Sequence, residues 1–520
     1  MSEKPSQISP SDDPGSADKR EDQLGTDQVG MDARVAEVND PDRIREQIRE
    51  YRSGQDPVED ASRPVPDSND SSRGDDEPFD LVLRGQRVLS DGAVGPREVG
   101  VVDGRITAIE PLGAGLQGKS VVELQDDETL IPGLVDAHVH VNEPGRTEWE
   151  GFASATRAAA AGGVTAMLDM PLNSIPSTVN GPALEYKRLI AEPKVFIDVG
   201  FWAGAVPGNL SDLHELHDEG VFGFKCFLLD SGVDEFPPLG PDEFEEYLKE
   251  LTSFGAMMIV HAENSGAIDG APQCEGSRYD GFLQSRPRGA ENLAISEVIE
   301  HTRWTGGRSH ILHLSSSDAL PMISSAKRDG LDLSVETCPH YLTLTAEDIP
   351  DGATAFKCCP PIREAGNREA LWQGLLDGTI DYIASDHSPS TVELKNPEGG
   401  DFGTAWGGVA SVQLGLPLIW TEAQRRGISL EQVVDWMSAR PAARVNMARK
   451  GNLALDYDAD LVVFAAEETF VVHAQNLHHK NPITAYEGKT LTGVVRRTFV
   501  RGTEVDFDTP HGALISRGGN

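Results

Sequence analysis

The chain has 520 residues and a mass of 56.0 kDa, which is enough for a large α/β domain with an accessory domain. Its 84 Asp and Glu residues against 45 Lys and Arg give a formal net charge of -39 and a sequence pI near 4.6. Binding to phosphates or to an anionic lipid surface needs clustered Lys and Arg. The charge balance therefore excludes nucleic acid and the membrane as partners.

The acid excess also predicts adaptation to high salt. Carboxylates at this density repel one another in dilute buffer, whereas molar salt shortens the Debye length to about 3 Å and removes most of that repulsion. Most of the excess lies outside residues 1–78, so an acidic tail does not account for it. We therefore expect a halophilic archaeon as the source, with an ordinary acidic protein as the alternative.

Segments that would direct the chain to a membrane or to secretion are not found in the sequence. No apolar run reaches the roughly 18 residues of a transmembrane helix, and the first residues lack the apolar core of a secretory signal. The five cysteines form no C-x-x-C pair, and their odd number offers no disulfide framework. We expect a cytoplasmic protein with reduced thiols.

The chain divides into five parts by composition. Residues 1–78 are rich in Ser, Asp, Pro and Gly and predict a disordered acidic N-terminal extension. Within it, residues 40–51 have a helix-start pattern and mixed charges, which predict a short transient helix, solvated rather than docked. Residues 79–131 and 448–508 contain short alternating strands, and we expect them to form one small β-sandwich from both ends of the chain. Residues 509–520 are a C-terminal tail.

The centre, residues 132–447, alternates apolar strands with helices, which predicts a TIM (β/α)8 barrel. Eight strands are expected, at 134–139, 164–170, 195–201, 223–227, 257–260, 310–312, 333–337 and 382–384. Helices are expected between them, among others at 148–161, 290–305 and 367–376.

Polar residues stand at the ends of five of these strands, where a TIM barrel places its chemistry. They are His138, His140, Lys225, His261, His313 and Asp386. Imidazole and carboxylate are ligands of Zn²⁺ and also of Mn²⁺, Fe²⁺ and Co²⁺. The alternative is a set of ordinary buried polar residues, with the lysine paired to an acid.

Metal cations would repel the ammonium group of Lys225, unless its amine has reacted with CO₂. The product is a carbamate, an anionic ligand that can bridge two metal ions about 3.5 to 4 Å apart with a hydroxide between them. The strand ends therefore predict a binuclear centre on N6-carboxylated Lys225, with zinc as the first choice of metal.

Five stretches resemble the cyclic amidohydrolases, which comprise dihydroorotases, hydantoinases and allantoinases. They read DAHVHVNEPG at 136–145, GFKCF at 223–227, CPHY at 338–341, CPPIR at 359–363 and SDHSP at 385–389. The resemblance covers nearly everything from about 79 to 508 and implies hydrolysis of a cyclic amide. Carried over by position, it implies that His138, His140 and Asp386 bind one metal, His261 and His313 the other, and Lys225 both.

Within this family, four further stretches are most similar to allantoinases. They read EPGRTEWEG at 143–151, MPLN at 170–173, AWGG at 405–408 and HKNP at 479–482. Dihydroorotases typically have an Arg, which binds the substrate carboxylate, where this chain has Asn142. The resemblance therefore implies hydrolysis of allantoin, a neutral ureide, to allantoate. Dihydroorotase and hydantoinase are the alternatives, and a non-catalytic hydantoinase-like scaffold is an alternative from another class.

The resemblance also implies a mechanism in which a metal-bridging hydroxide attacks the ring carbonyl. Asp386 accepts the proton and returns it to the leaving nitrogen. Asn173, Ser388 and Cys359 are the candidates for substrate binding, although allantoinases often carry Ser in place of Cys359. A homo-oligomer, dimer or tetramer, is expected by analogy with the family.

Overall fold

The structure is a computed structural model that describes residues 37–54 and 77–518. The predicted disorder of residues 1–36 and 55–76 falls outside the described residues. The predicted helix in the extension is present as α1, Pro41–Gly54, but it is docked and not solvated. Ile44 and Ile48, four residues apart on one helical face, are buried against Ala183. The mixed charges of this segment concealed that apolar face.

Strands from both flanks of the chain form one eight-stranded sheet. The first flank contributes β1 (Phe79–Ser90), β2 (Ala93–Val102), β3 (Arg105–Pro111), β4 (Gly118–Glu123) and β5 (Glu128–Pro132). The second contributes β15 (Leu461–Val471), β16 (Thr490–Val500) and β17 (Thr503–Glu504). The order is β17-β16-β15-β5-β1-β2-β3, with β4 paired to β1, so that β5 joins the two flanks. The chain ends therefore share one sheet as expected, whereas its division into a two-layer sandwich stays a prediction.

Eight parallel strand positions lie between the flanks. They are β6 (Leu134–Val139), β7 (Val164–Asp169), β8 (Asp198–Phe201) continued by β9 (Ala203–Gly204), β10 (Phe224–Phe227), β11 (Met257–His261), β12 (Arg308–Ile311), β13 (Leu333–Thr337) and β14 (Tyr382–Ile383). Their ladders form two sheets, β6-β7-β8 and β9 to β14, so the barrel is not closed by continuous pairing. The first and last strands meet at one parallel bridge, Val139 to His387, where the His140 amide donates to the His387 carbonyl at 2.8 Å.

The helices follow the strands on the outside of the barrel. They are α2 (Phe152–Ala161), α3 (Gly181–Ala191), α4 (Leu213–Asp218), α5 (Pro241–Ser253), α6 (Ser265–Asp269), α7 (Tyr279–Ser285), α8 (Arg288–Thr305), α9 (Leu320–Arg328), α10 (Pro339–Thr343), α11 (Ala365–Leu376), α12 (Gly415–Arg425), α13 (Leu430–Val434) and α14 (Arg440–Arg444). Helix α2 begins four residues later than predicted because the Glu143 carboxylate accepts the Phe152 amide proton at 2.9 Å and fixes the start there. Among the described residues, no helix combines the length and apolar character needed to cross a membrane.

A buried ionic network joins the barrel to the flanking sheet. The Lys450 ammonium lies 2.6 Å from Asp198 on β8, 2.8 Å from Asp460 and 2.9 Å from Asp458, and Arg501 pairs with Asp198 from the other side. Burial lowers the pKa of Lys450, but the three carboxylates outweigh burial and raise it above its usual value. The ammonium therefore stays charged inside the protein, and removing it would leave several buried carboxylates without their shared cation.

We expect Lys450→Met to destabilise the protein by about 3–5 kcal/mol, because it leaves buried charges unpaired. The matched control is Lys249→Met, whose side chain is 62% exposed in an ion pair with Glu245, and which should cost less than about 1 kcal/mol. Urea unfolding followed by circular dichroism measures both. Equal midpoints for the two variants would contradict the role assigned to the network.

Candidate metal centre and active site

A cavity of about 700 Å³ opens at the carboxyl ends of the barrel strands. It is lined by eight of the nine residues predicted for the site: His140, Asn173, Lys225, His261, His313, Cys359, Asp386 and Ser388. The ninth, His138, is fully buried and lies behind Asp386. The structure thus brings all nine residues together, as expected when parallel strands end at one rim.

His138, His140 and Asp386 place their ligand atoms close enough to share an ion. The Asp386 Oδ1 atom lies 3.1 Å from His138 Nε2 and 3.7 Å from His140 Nε2, and the three ligand atoms lie within 4.8 Å of one another. Ligand atoms at about 2.0–2.2 Å from one zinc ion stand roughly 3–3.5 Å apart in a tetrahedral arrangement. His138 Nε2 is also buried without a hydrogen-bond partner in the described chain. This half of the site fits a divalent metal.

The buried Glu336 carboxylate on β13 sets the orientation of His138. Its Oε1 atom lies 2.5 Å from His138 Nδ1 and accepts the main-chain amide of His313, while Oε2 lies 3.2 Å from His310 Nε2. Burial opposes ionisation of Glu336, but His138 and His310 outweigh it and lower its pKa. The ionised carboxylate needs a proton on Nδ1, so Nε2 of His138 is left as the ligand atom.

His261 and His313 form the other half of the site, with ring centroids 4.5 Å apart. His261 Nε2 lies 2.8 Å from Glu263 Oε2, and Arg286 binds the same carboxylate at 2.5 Å. Burial alone would raise the pKa of Glu263, yet the Arg286 charge and the bond to His261 lower it to about 2. Glu263 therefore accepts a proton from Nε2 and leaves Nδ1 of His261 for a metal.

Burial favours the neutral form of three imidazoles of the site. It lowers the pKa of His140 and of His313 well below the usual value, and it also lowers the pKa of His261. Neighbouring Lys225 adds to the effect at all three rings. Only a neutral imidazole nitrogen can bind a metal. The electrostatics of the cavity thus suit the predicted ligand set.

Lys225 is 1% exposed and forms no ion pair with a carboxylate in the described part of the chain. Its Nζ atom lies 4.7 Å from the centroid of the Phe227 ring. Burial lowers the pKa of Lys225 to about 8, against the opposing charges of Asp386 and Glu336. The reading of Lys225 as a lysine paired with an acid is therefore not supported, and an amine with this pKa is neutral often enough to react with CO₂.

Two of the predicted ligands have strained backbone. His313 has φ of 35° and Asp386 has φ of 45°, in a left-handed region that non-glycine residues rarely occupy. His313 lies two residues beyond the end of β12, and Asp386 lies three residues beyond the end of β14. Such strain persists only where surrounding contacts over-determine it, and it is typical of functional sites.

The three predicted substrate contacts occupy different parts of the cavity wall. The Asn173 amide lies 3.3 Å from His140 Nδ1, and the Ser388 hydroxyl donates to Asp386 Oδ1 at 2.8 Å. Cys359 is half-buried, and burial raises the pKa of its thiol, so it offers a neutral surface and not a nucleophile. Asn173 and Ser388 thus contact predicted ligands as well as the cavity.

Sequence reasoning missed the acids and cations around the ligands. Glu336 and Glu263 were not singled out, although both stand within three residues of a strand end, which is the signal that could have found them. Arg286 and Lys357 also line the cavity. Arg286 is paired with Glu263, and the Lys357 ammonium donates to the carbonyls of Gly403 and Ala405. Neither cation is a free clamp for a substrate carboxylate.

We expect Glu336→Gln to lower metal affinity by about 10- to 100-fold, because an amide does not hold the Nδ1 proton of His138 as a carboxylate does. The control is Glu347→Gln, a partly exposed acid that bonds the Ala365 amide far from the ligands. Metal content after dialysis against graded chelator, measured by mass spectrometry, gives the result. Equal retention in both variants would exclude the orienting role.

Comparison with known proteins assigns the chain to a family. The amidohydrolase family model matches residues 129–505. An allantoinase of Streptomyces avermitilis is 54% identical over 84% of this chain and 99% of its own, and an allantoinase of Saccharomyces cerevisiae is 49% identical over 72% and 82%. Among solved structures, the L-hydantoinase from Arthrobacter aurescens has a TM-score of 0.78 and 28% identity over 85% of this chain and 98% of its own. These matches do not support the predicted halophilic archaeal origin. The chain belongs to the amidohydrolase family and is similar in sequence to allantoinases.

Proposed function

We propose that the protein hydrolyses the ring amide of allantoin to give allantoate. The observation that carries this proposal is a cavity in which six candidate ligands converge and in which, apart from Lys225 among them, the described cations of the lining already bind protein acceptors. Asn142 stands where dihydroorotases have an arginine, and its amide donates to the Pro389 carbonyl at 3.2 Å. A neutral ureide needs no cationic clamp. The 54% identity to an allantoinase supports the same substrate.

Two divalent ions, zinc first and manganese, cobalt or iron as alternatives, would be held by the six residues, with Lys225 carboxylated between them. Bound there, they would supply a water of lowered pKa and polarise the substrate carbonyl. Among the described residues, His138 Nε2 and His313 Nδ1 are buried without a hydrogen-bond partner, which supports this occupancy because an unsatisfied polar atom inside a protein is costly.

Asp386 is the residue that moves the proton in this proposal. One of its oxygens faces His138 and accepts the Ser388 hydroxyl proton, and its side chain borders the cavity. It would take the proton released on attack and return it to the ring nitrogen that leaves. The Ser388 hydroxyl holds the carboxylate in place, while Asn173 and the wall at Cys359 orient the ureide.

The remaining assignments extend this proposal. We place the barrel at 132–447, the flanking unit at 79–131 with 448–508, and a tail at 509–520. We also propose a cytoplasmic homo-oligomer, dimer or tetramer, which sedimentation velocity would measure.

A hydantoinase is less favoured because the similar solved hydantoinase has 28% identity, well below that of the allantoinases. A scaffold is less favoured because all six ligand positions are kept.

We expect turnover of allantoin, and not of dihydroorotate or plain hydantoin, by protein supplied with Zn²⁺, Mn²⁺ or Co²⁺ and bicarbonate. Lys225→Ala should reduce that turnover by more than about 100-fold, beyond the loss typical of outer-shell partners, and a short carboxylic acid should restore part of it. Lys249→Ala, on the exposed face of α5, is the control. Turnover of dihydroorotate alone would refute the substrate assignment, and full activity of Lys225→Ala would refute the bridging carbamate.

A further inference from the structure

The N-terminal arm, residues 37–54, lies outside the segment that the amidohydrolase model matches. It consists of α1 and the residues that precede it. The arm packs on α3: Ile44 and Ile48 bury their side chains there, and the Tyr51 and Tyr186 rings meet edge to face at 6.4 Å. This burial of apolar surface holds the arm on the barrel.

Asn39, just ahead of α1, connects the arm to two loops at the cavity end of the barrel. Its Oδ1 atom accepts the Ser177 amide at 3.1 Å, and its Nδ2 group donates to the Glu235 carbonyl at 3.1 Å. Its own carbonyl accepts the Asn180 side chain at 2.9 Å. Ser177 and Asn180 belong to the loop after β7, and Glu235 belongs to the loop after β10. One residue thus links two loops that are not neighbours in sequence.

The same two loops carry residues of the candidate active site. The Glu235 carboxylate pairs with Arg146, and the same Arg146 Nη1 atom donates to the Asn173 carbonyl at 2.9 Å. Asn173 then contacts His140 through its side chain. The loop after β10 also supplies Leu229 to Gly232 to the cavity wall. A chain of direct contacts therefore runs from the arm to a predicted ligand and to the substrate wall.

We propose that Asn39 is a positioning residue for substrate binding: it holds the loop after β7 and the loop after β10 at a fixed separation. The arm is then part of the active-site scaffold and not an appendage. The six candidate ligands lie on or beside strands, and the strand pairing holds them in place without the arm. Asn173 and residues 229–232 of the cavity wall lie on loops, so their positions depend on the contacts that hold those loops. Loss of Asn39 therefore affects substrate binding more than metal binding. This role rests on the proposed function.

The test compares Asn39→Ala with two other arm variants. Ile44→Asp removes the apolar contact that docks α1, and Glu46→Ala changes an exposed residue of the same helix. We expect Asn39→Ala and Ile44→Asp to raise the KM for allantoin by at least about fivefold, the effect of losing a single hydrogen bond, with kcat within about twofold. Metal content should stay at the wild-type level. Glu46→Ala should leave both kinetic constants unchanged.

Hydrogen exchange supplies a measurement that does not need activity. Asn39→Ala should speed amide exchange in residues 171–180 and 228–239 and leave the strands protected. Unchanged KM in both Asn39→Ala and Ile44→Asp, or an equal rise in Glu46→Ala, would overturn the proposal. If the wild-type protein does not turn over allantoin, the proposed function fails by itself. The exchange of the two loops then decides the positioning role: faster exchange supports it, and unchanged exchange overturns it.

Discussion

The geometry of the site depends on the hydrogen bonds that the Glu336 carboxylate accepts. Although it is fully buried on β13, its two oxygens reach the His138 ring from β6, the His313 amide after β12 and the His310 ring on β12. A buried carboxylate is stable only when donors surround it, so these bonds hold β6 and β12 against β13. The same bonds decide which nitrogen of His138 faces the cavity. Fold and ligand orientation thus have one cause.

This arrangement leaves several buried polar groups whose need for hydrogen bonds or ion pairs is not met by the described protein contacts. Within the described residues, His138 Nε2 and His313 Nδ1 are buried without a hydrogen-bond partner, and the buried Lys225 forms no ion pair with a carboxylate. Each unsatisfied polar group costs about 1–3 kcal/mol. The left-handed backbone of His313 and Asp386 adds strain at the same place. The fold is therefore less stable at this place, and the candidate ligand atoms are already directed toward one point.

Strand bounds and strand-end residues could be predicted from the sequence, because they depend on patterns that are local in the chain. The strands Leu134–Val139 and Leu333–Thr337 have the predicted bounds, and the strand-end rule singled out His138 and Asp386, whose ligand atoms lie close together in the structure. The partners of those residues could not be predicted in this way. Glu336 and Glu263 are ordinary acids in the sequence, and their function arises only from strand register and from the contact with Arg286, which follows α7 in the same β11–β12 connection as Glu263. The docking of α1 was also missed, because Ile44 and Ile48 have an apolar partner only in the folded chain.

Two kinds of support therefore hold the site. Strand ladders and buried carboxylates fix the candidate metal ligands, within an overall fold that a hydantoinase of 28% identity matches with a TM-score of 0.78. Loop anchors fix the substrate wall: Arg146 with Glu235, and Asn39 at the outer end of the contact chain. A loop can change its sequence and its anchor without disturbing the strand register that carries the ligands. Changes in these loop anchors should accordingly alter which substrate this protein binds, and should leave the candidate ligands at the strand ends in place.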